Sequence, residues 1–160
     1  MEIKKNNLKI ILFFAAAIIL LLSIFFIYGS NKIKTDTPTA AIINGKKINL
    51  EVARTEKETA RGLGNRDSLE GDRGMLFLFS HSDYYTFWMK DMRFSIDIIW
   101  LQDDTIVDIS KNVPFEPGVN LEKLKLYQTR QKANRVLEVN AGFTDKNSIK
   151  IGDKIEYLYN

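Results

Sequence analysis

The chain has 160 residues, 45% of them hydrophobic, a formal net charge of +3, one histidine and no cysteine. The missing cysteine excludes disulfides, thiol catalysis and cysteine metal sites, and a single histidine argues against transition-metal catalysis. The positive charge does not mark a nucleic-acid binder: without Lys4, Lys5, Lys9 and Glu2 the chain holds 20 basic and 19 acidic residues and no basic run, whereas such binders concentrate their charge.

Ile10 to Tyr28 carries no charge over 19 residues. As a helix it is about 28 Å long, close to the roughly 30 Å of a bilayer core. Lys4, Lys5 and Lys9 precede it, so the expectation is a cytoplasmic N-terminus (residues 1–9), a membrane anchor (10–28), a polar linker (29–40) and an extracytoplasmic domain (41–160). The rival reading is a cleaved signal peptide and a secreted product. It fits less well, because the apolar run is long and ends in Phe-Phe-Ile-Tyr-Gly-Ser without a small-residue cleavage pattern.

Along the outer domain, Asn44-Gly45 between apolar runs predicts a hairpin, since both positions tolerate positive φ. Ile48, Leu50 and Val52 alternate with Lys47, Asn49 and Glu51, which predicts a half-buried strand. Thr55 and Glu58 have capping-box spacing and Gly62 is a stop, so one short helix is expected between them. Gly74 to Phe79 is apolar on both faces and reads as a central strand. Thr86 to Met92 reads as a less regular strand. Asp97 to Gln102 and Thr105 to Ile109 flank Asp103-Asp104 as a second hairpin. Residues 111–134 hold Pro114, Pro117 and Gly118 and show no clear period; LEKLKLY suits a brief helix or a strand. Arg135 to Asn140 and Lys154 to Tyr159 are further strands, the last entered through Gly152-Asp153. The fold expected is mainly β: a compact sandwich or partly closed barrel of seven to eight short strands with one or two short helices, behind a single transmembrane helix.

The pieces Arg61-Gly62-Leu63, Arg66, Gly74-Met75-Leu76-Phe77, Phe79, Phe87-Trp88-Met89-Lys90, Asp97-Ile98-Ile99, Val136 to Gly142 and Gly152-Asp153 occur in an order that resembles the domain of unknown function 192 family. The resemblance covers roughly Ile48 to Tyr157. It implies a small, mostly β domain, commonly exported or anchored, with no established activity. Two positions depart from the family pattern. Asp91-Met92 stands where Asn-Thr is usual, and Ser95-Ile96 where Pro-Leu is often found.

Six residues are candidates for a site. Lys90, beside Phe87 and Trp88, suits binding of an anionic or carbonyl group, or as a base if buried; the plainer reading pairs it with Asp97 or Glu138. Arg61 and Arg66 bracket the Gly62-Leu63-Gly64 turn and suit bidentate contact with carboxylate or phosphate. The plainer reading has Arg61 on the helix C-terminal carbonyls and Arg66 in solvent. Trp88 is a stacking platform for a sugar or a core residue. Asp97 and Glu138 are an acid/base pair of the glycosidase type, or Asp97 is a hydrogen-bonded turn residue. His81 lies in a polar stretch with no nucleophile motif. Asp103-Asp104 is too sparse for a calcium loop, and no phosphate-binding glycine loop is present, so no metal or cofactor is expected.

Three functions follow, in order of preference. The first is a binding module for a small polar or anionic envelope ligand, such as a glycan or peptide fragment, held by Arg61, Arg66, Trp88 and Lys90. The second is a hydrolase or transferase of envelope polymers that uses Asp97 or Glu138. The third is a structural or assembly partner acting through the anchor and residues 111–134.

Overall fold

The computed structural model describes residues 37–159. The expected cytoplasmic residues 1–9 and membrane anchor 10–28 lie outside the described residues, as does most of the linker. The first strand begins at Pro38, inside the stretch expected to be linker. Among the described residues no helix is long and apolar enough to cross a membrane.

The domain is mainly β, as the alternation predicts. Its described strands are β1 Pro38–Ile43, β2 Lys46–Ala53, β3 Arg73–Asp83, β4 Thr86–Trp88, β5 Ile96–Gln102, β6 Thr105–Val113, β7 Leu126–Gln128, β8 Ala133–Asn140 and β9 Ile155–Tyr159. Two short α-helices, α1 Glu56–Arg61 and α2 Phe143–Lys146, accompany them. Nine strands replace the seven to eight expected. Seven form one mixed sheet in the order β6-β5-β8-β3-β2-β1-β9, and β4 and β7 form a separate ribbon. This is not a closed barrel: the edge strand β6 meets the start of β9 through an isolated bridge from Thr105 to Lys154.

The local signals explain most of these elements. Asn44 and Gly45 both take positive φ, 48° and 73°, as a tight hairpin between right-twisted strands requires. Thr55 caps α1: its side chain accepts from the Glu58 N–H, and the Glu58 side chain accepts from the Thr55 N–H, which satisfies two otherwise unpaired donors. The helix ends at Gly62, whose N–H donates to the Glu58 carbonyl at 2.9 Å.

Parallel pairing of β2 with β3 is the arrangement the hairpin pattern does not anticipate. Residues 54–72, with α1, carry the chain back so that Glu51 lies beside Met75. On the other side of β3, Met75 lies beside Glu138 of β8, and Glu138 lies beside Ile98 of β5. Side chains paired in register share a face, so Glu51, Met75, Glu138 and Ile98 form one row across the sheet.

Each face of the sheet has its own core. Met75, Phe77, Ile98, Trp100 and Val136 pack on one face with Leu63, Met89 and Met92 from the covering loops. Leu76, Ile99, Leu101, Leu137 and Val139 pack on the other with Ile48, Phe143 and Ile155. The odd–even split along Met75 to Leu78 is the period-2 alternation of a central strand.

Two segments depart from expectation. Strand β4 stops at Trp88 instead of running to Met92: the Met92 N–H donates to the Met89 carbonyl, and Asp91 takes φ +57°. Asp is among the few residues that adopt this region without severe strain. In residues 111–134, LEKLKLY splits between the two forms expected of it. Leu121–Lys123 is a 3-10 turn and Leu126–Gln128 is β7, which pairs Tyr127 with Phe87 and Leu126 with Trp88.

Candidate functional site

The loop after α1 and the β4–β7 ribbon cover the same face of the sheet but leave a cleft of about 230 Å³ between them. Phe77 and Glu138 line it from the sheet, Arg61 to Gly64 from the loop, and Thr86 to Trp88, Lys90 and Met92 from the ribbon and its turn. Four of the six predicted site residues therefore meet: Arg61, Trp88, Lys90 and Glu138. The two loops are fastened to each other. The Asn65 N–H donates to the Asp91 carbonyl at 2.8 Å. A Cβ on Gly64 would fall 2.9 Å from the Arg61 carbonyl oxygen and 3.2 Å from that of Lys90. Only glycine lets these backbones approach so closely.

Glu138 is the unusual member. It is 95% shielded from solvent, with 5% of its surface exposed, and its Oε2 is buried with no hydrogen-bond partner. Burial pushes its carboxyl up to about 8, and the nearby Arg66 charge offsets this only in part. Arg66 is committed elsewhere. Its two terminal nitrogens each donate at 2.8 Å to the two oxygens of Glu51, and this bidentate bond holds Glu51 below the usual carboxylate range. Arg73 also lies 3.6 Å from Glu51. Arg66 is thus neither solvated nor a lining residue; it is a structural partner of Glu51. The alternation in β2 placed Glu51 on a wet face, and the parallel crossover that joins the two residues has no signature in the local sequence.

Asp97 is not part of the cleft. It pairs in register with Val139, whereas Glu138 pairs with Ile98, so the two carboxyls point to opposite faces of the sheet. That separation rules out an Asp97–Glu138 pair acting across one substrate. Asp97 is fully buried and accepts four hydrogen bonds: from the N–H groups of Asn112 (2.8 Å), Gly142 (3.1 Å) and Thr144 (2.9 Å), and from the Thr144 hydroxyl (2.7 Å). The plainer sequence reading, a hydrogen-bonded residue at a strand start, is the one the geometry matches.

Lys90 and Arg61 are exposed. Neither enters any of the salt bridges among the described residues. The expected pairing of Lys90 with Asp97 or Glu138 is absent, and Arg61 makes no hydrogen bond to the helix carbonyls. Replacing Lys90 with Ala should therefore change stability by no more than about 0.5 kcal/mol, as at other unpartnered surface positions. A melting temperature indistinguishable from wild type is the expected result; a drop of several degrees would show a structural partner.

Trp88 is 44% exposed, so it is a rim residue and not a core one. Phe87 is the residue of this strand that turns inward, edge-on to Phe77 at 5.0 Å and to Trp100 at 5.3 Å. Sequence reasoning noted Phe87 and the Gly62-Leu63-Gly64 turn only as neighbours of candidates, and it missed Thr59, Ala60, Phe77, Thr86 and Met92, which also line the cleft. Phe87 and Phe77 look like ordinary core positions, and no local pattern says that a cleft opens beside them.

The family model DUF192, described as "Uncharacterized ACR", matches residues 39–157. No curated protein is significantly similar to the chain. Among solved structures, a protein of unknown function from Novosphingobium aromaticivorans DSM 12444 is 28% identical with a TM-score of 0.66, over 77% of this chain and 94% of that one. A provisionally named transcription regulator from Sinorhizobium meliloti 1021 is 27% identical with a TM-score of 0.64, over 74% of this chain and 90% of that one.

Proposed function

Since the chain belongs to the DUF192 family, which is uncharacterized, its function rests on its own cleft, and we propose that it is a binding module for a small polar or anionic ligand of the cell envelope. The observation that carries this reading is the unpartnered, buried Oε2 of Glu138 in a cleft rimmed by Arg61, Lys90 and Trp88. A buried polar atom without a partner costs roughly 1–3 kcal/mol, and most such atoms in folded proteins are satisfied. A ligand in the cleft satisfies this one. The rim adds two cations with no internal counter-ion and a half-exposed indole, which offers a large, rigid contact surface.

The placement at the envelope is part of the same proposal. It rests on the uncharged run Ile10 to Tyr28 and the lysines before it, which together fit a single-pass anchor with the domain outside. A glycan or peptide fragment of the envelope fits both the location and the rim chemistry.

The hydrolase reading keeps one supporting feature, since a carboxyl raised to about 8 in a cleft suits a general acid. It lacks the second carboxyl: Glu138 is the sole acid among the residues lining the cleft. The binding reading is therefore preferred.

Trp88 supplies the test. Its fluorescence in the full-length protein should change saturably as soluble muropeptides or glycerol-phosphate oligomers are added. Trp100, fully buried, should contribute a constant background. Trp88→Ala should weaken binding, followed by calorimetry, by roughly tenfold, as for loss of an aromatic anchor. No saturable response to any such fragment at millimolar concentration would rule out the binding reading.

A further inference from the structure

We infer that the cleft takes an oxyanion, a carboxylate or phosphate group, together with one proton: Glu138 stays neutral and donates its O–H to the ligand, with Arg61 and Lys90 supplying the positive charge. This rests on the binding function proposed above and specifies the ligand class of the same cleft.

The first support is what faces Glu138. From the loop after α1, Arg66 is near but both its terminal nitrogens are bonded to Glu51 of β2. Strands β3 and β5 present Met75 and Ile98 beside it, with no charge. Arg61 at the end of α1 and Lys90 on the turn after β4 share the cleft but form no ion pair with it. A carboxyl buried without a counter-ion keeps its proton. A protonated carboxyl is a donor as well as an acceptor, and its O–H is used only by a ligand that accepts.

Charge supplies the second support. The charged or ionisable side chains lining the cleft are Arg61, Lys90 and Glu138 alone. With Glu138 neutral, the lining carries two positive charges. An anionic ligand complements that set, and hydrogen bonds between an acid O–H and an anionic oxygen are among the stronger kind. Ionised Glu138 would instead present a negative charge to a negative ligand. Anion binding and Glu138 protonation must therefore reinforce each other equally.

The test is calorimetric titration of the full-length protein at pH 7 and pH 9 with three probes: N-acetylmuramic acid (carboxylate), N-acetylglucosamine 6-phosphate (phosphate) and N-acetylglucosamine (neutral). The expected result is binding of at least one acidic probe, about tenfold weaker at pH 9 than at pH 7 because the competent neutral form becomes the minor one. At pH 9, titrations in two buffers of different ionisation enthalpy should show proton uptake on binding. Preference between the two acidic probes identifies which oxyanion the cleft serves. Glu138→Gln cannot ionise, so its profile should be flat between the two pH values. Binding of an acidic probe with no pH dependence, a slope that survives in Glu138→Gln, or binding of the neutral probe as tightly as the acidic ones would overturn the inference and leave the binding function standing. Absence of binding by all three at both pH values overturns the inference, and failure of the muropeptides and glycerol-phosphate oligomers as well would remove the binding function with it.

Discussion

Glu138→Gln is expected to stabilise the protein, and to do so most above pH 8. The buried carboxyl titrates at about 8 against an ordinary value of 4.5. Between those values the folded state holds a proton that the unfolded chain has released. Stability therefore declines as pH rises from about 4.5 to about 8, and above that both states are ionised and the penalty is constant. A shift of that size corresponds to about 5 kcal/mol at most. Gln avoids the ionisation but leaves an amide to be satisfied in the same place, which returns roughly 1–3 kcal/mol. The net gain at pH 9 is about 3 kcal/mol, or roughly 10 °C in melting temperature for a domain of this size. Below pH 5 the gain should vanish or change sign. Thermal melts of both proteins from pH 4 to 9 check this. A difference that does not vary with pH would show that Glu138 is not held neutral by the fold.

Asp97→Ala should have the opposite and larger effect. The side chain gathers three backbone N–H groups and one hydroxyl from three segments: the end of β6, the turn after β8, and α2. Alanine leaves four donors without their acceptor, the two of Thr144 buried and those of Asn112 and Gly142 part-buried, and each costs roughly 1–3 kcal/mol where water cannot enter. A loss of about 4–6 kcal/mol is expected, a large part of the 5–15 kcal/mol that usually holds a domain folded. Asp97→Asn restores one acceptor oxygen and should recover part of it. Urea unfolding of the three proteins gives the comparison. Should Asp97→Ala unfold at the wild-type midpoint, those bonds contribute nothing and the residue becomes free for another role.

These two acids show where sequence reading works and where it stops. Turns and caps are local, so the Asn44-Gly45 hairpin, the Thr55–Glu58 capping box and the Gly62 stop could all be read from neighbouring residues. So could the central position of β3, because both of its faces are apolar. Asp97 and Glu138 look alike in sequence, each an acid in an apolar strand. Their faces differ because β5 and β8 pair with Ile98 opposite Glu138, and that register depends on residues far apart in the chain. The same holds for Arg66. Its partner Glu51 is brought near by a parallel crossover, whereas the plainer reading of the sequence left Arg66 in solvent. The convergence of Arg61, Trp88 and Lys90 was legible because two short segments carry them. The ribbon that sets the angle of Trp88 was not, since β7 is three residues within an aperiodic stretch.

The pairing of Pro38 with Tyr159 at the open end of β1 and β9 has a mechanical consequence. The two ends of the described domain leave it side by side. Tension applied between them loads the β1–β9 hydrogen bonds in sequence, in an unzipping geometry, and not all together in shear. The edge strand should then peel away at low force while the β2–β3–β8–β5 centre, with both cores attached, stays intact. Tension borne through residue 37 alone, against a ligand held in the cleft, would follow a different path: through β1 and β2 into the sheet, leaving β9 unloaded.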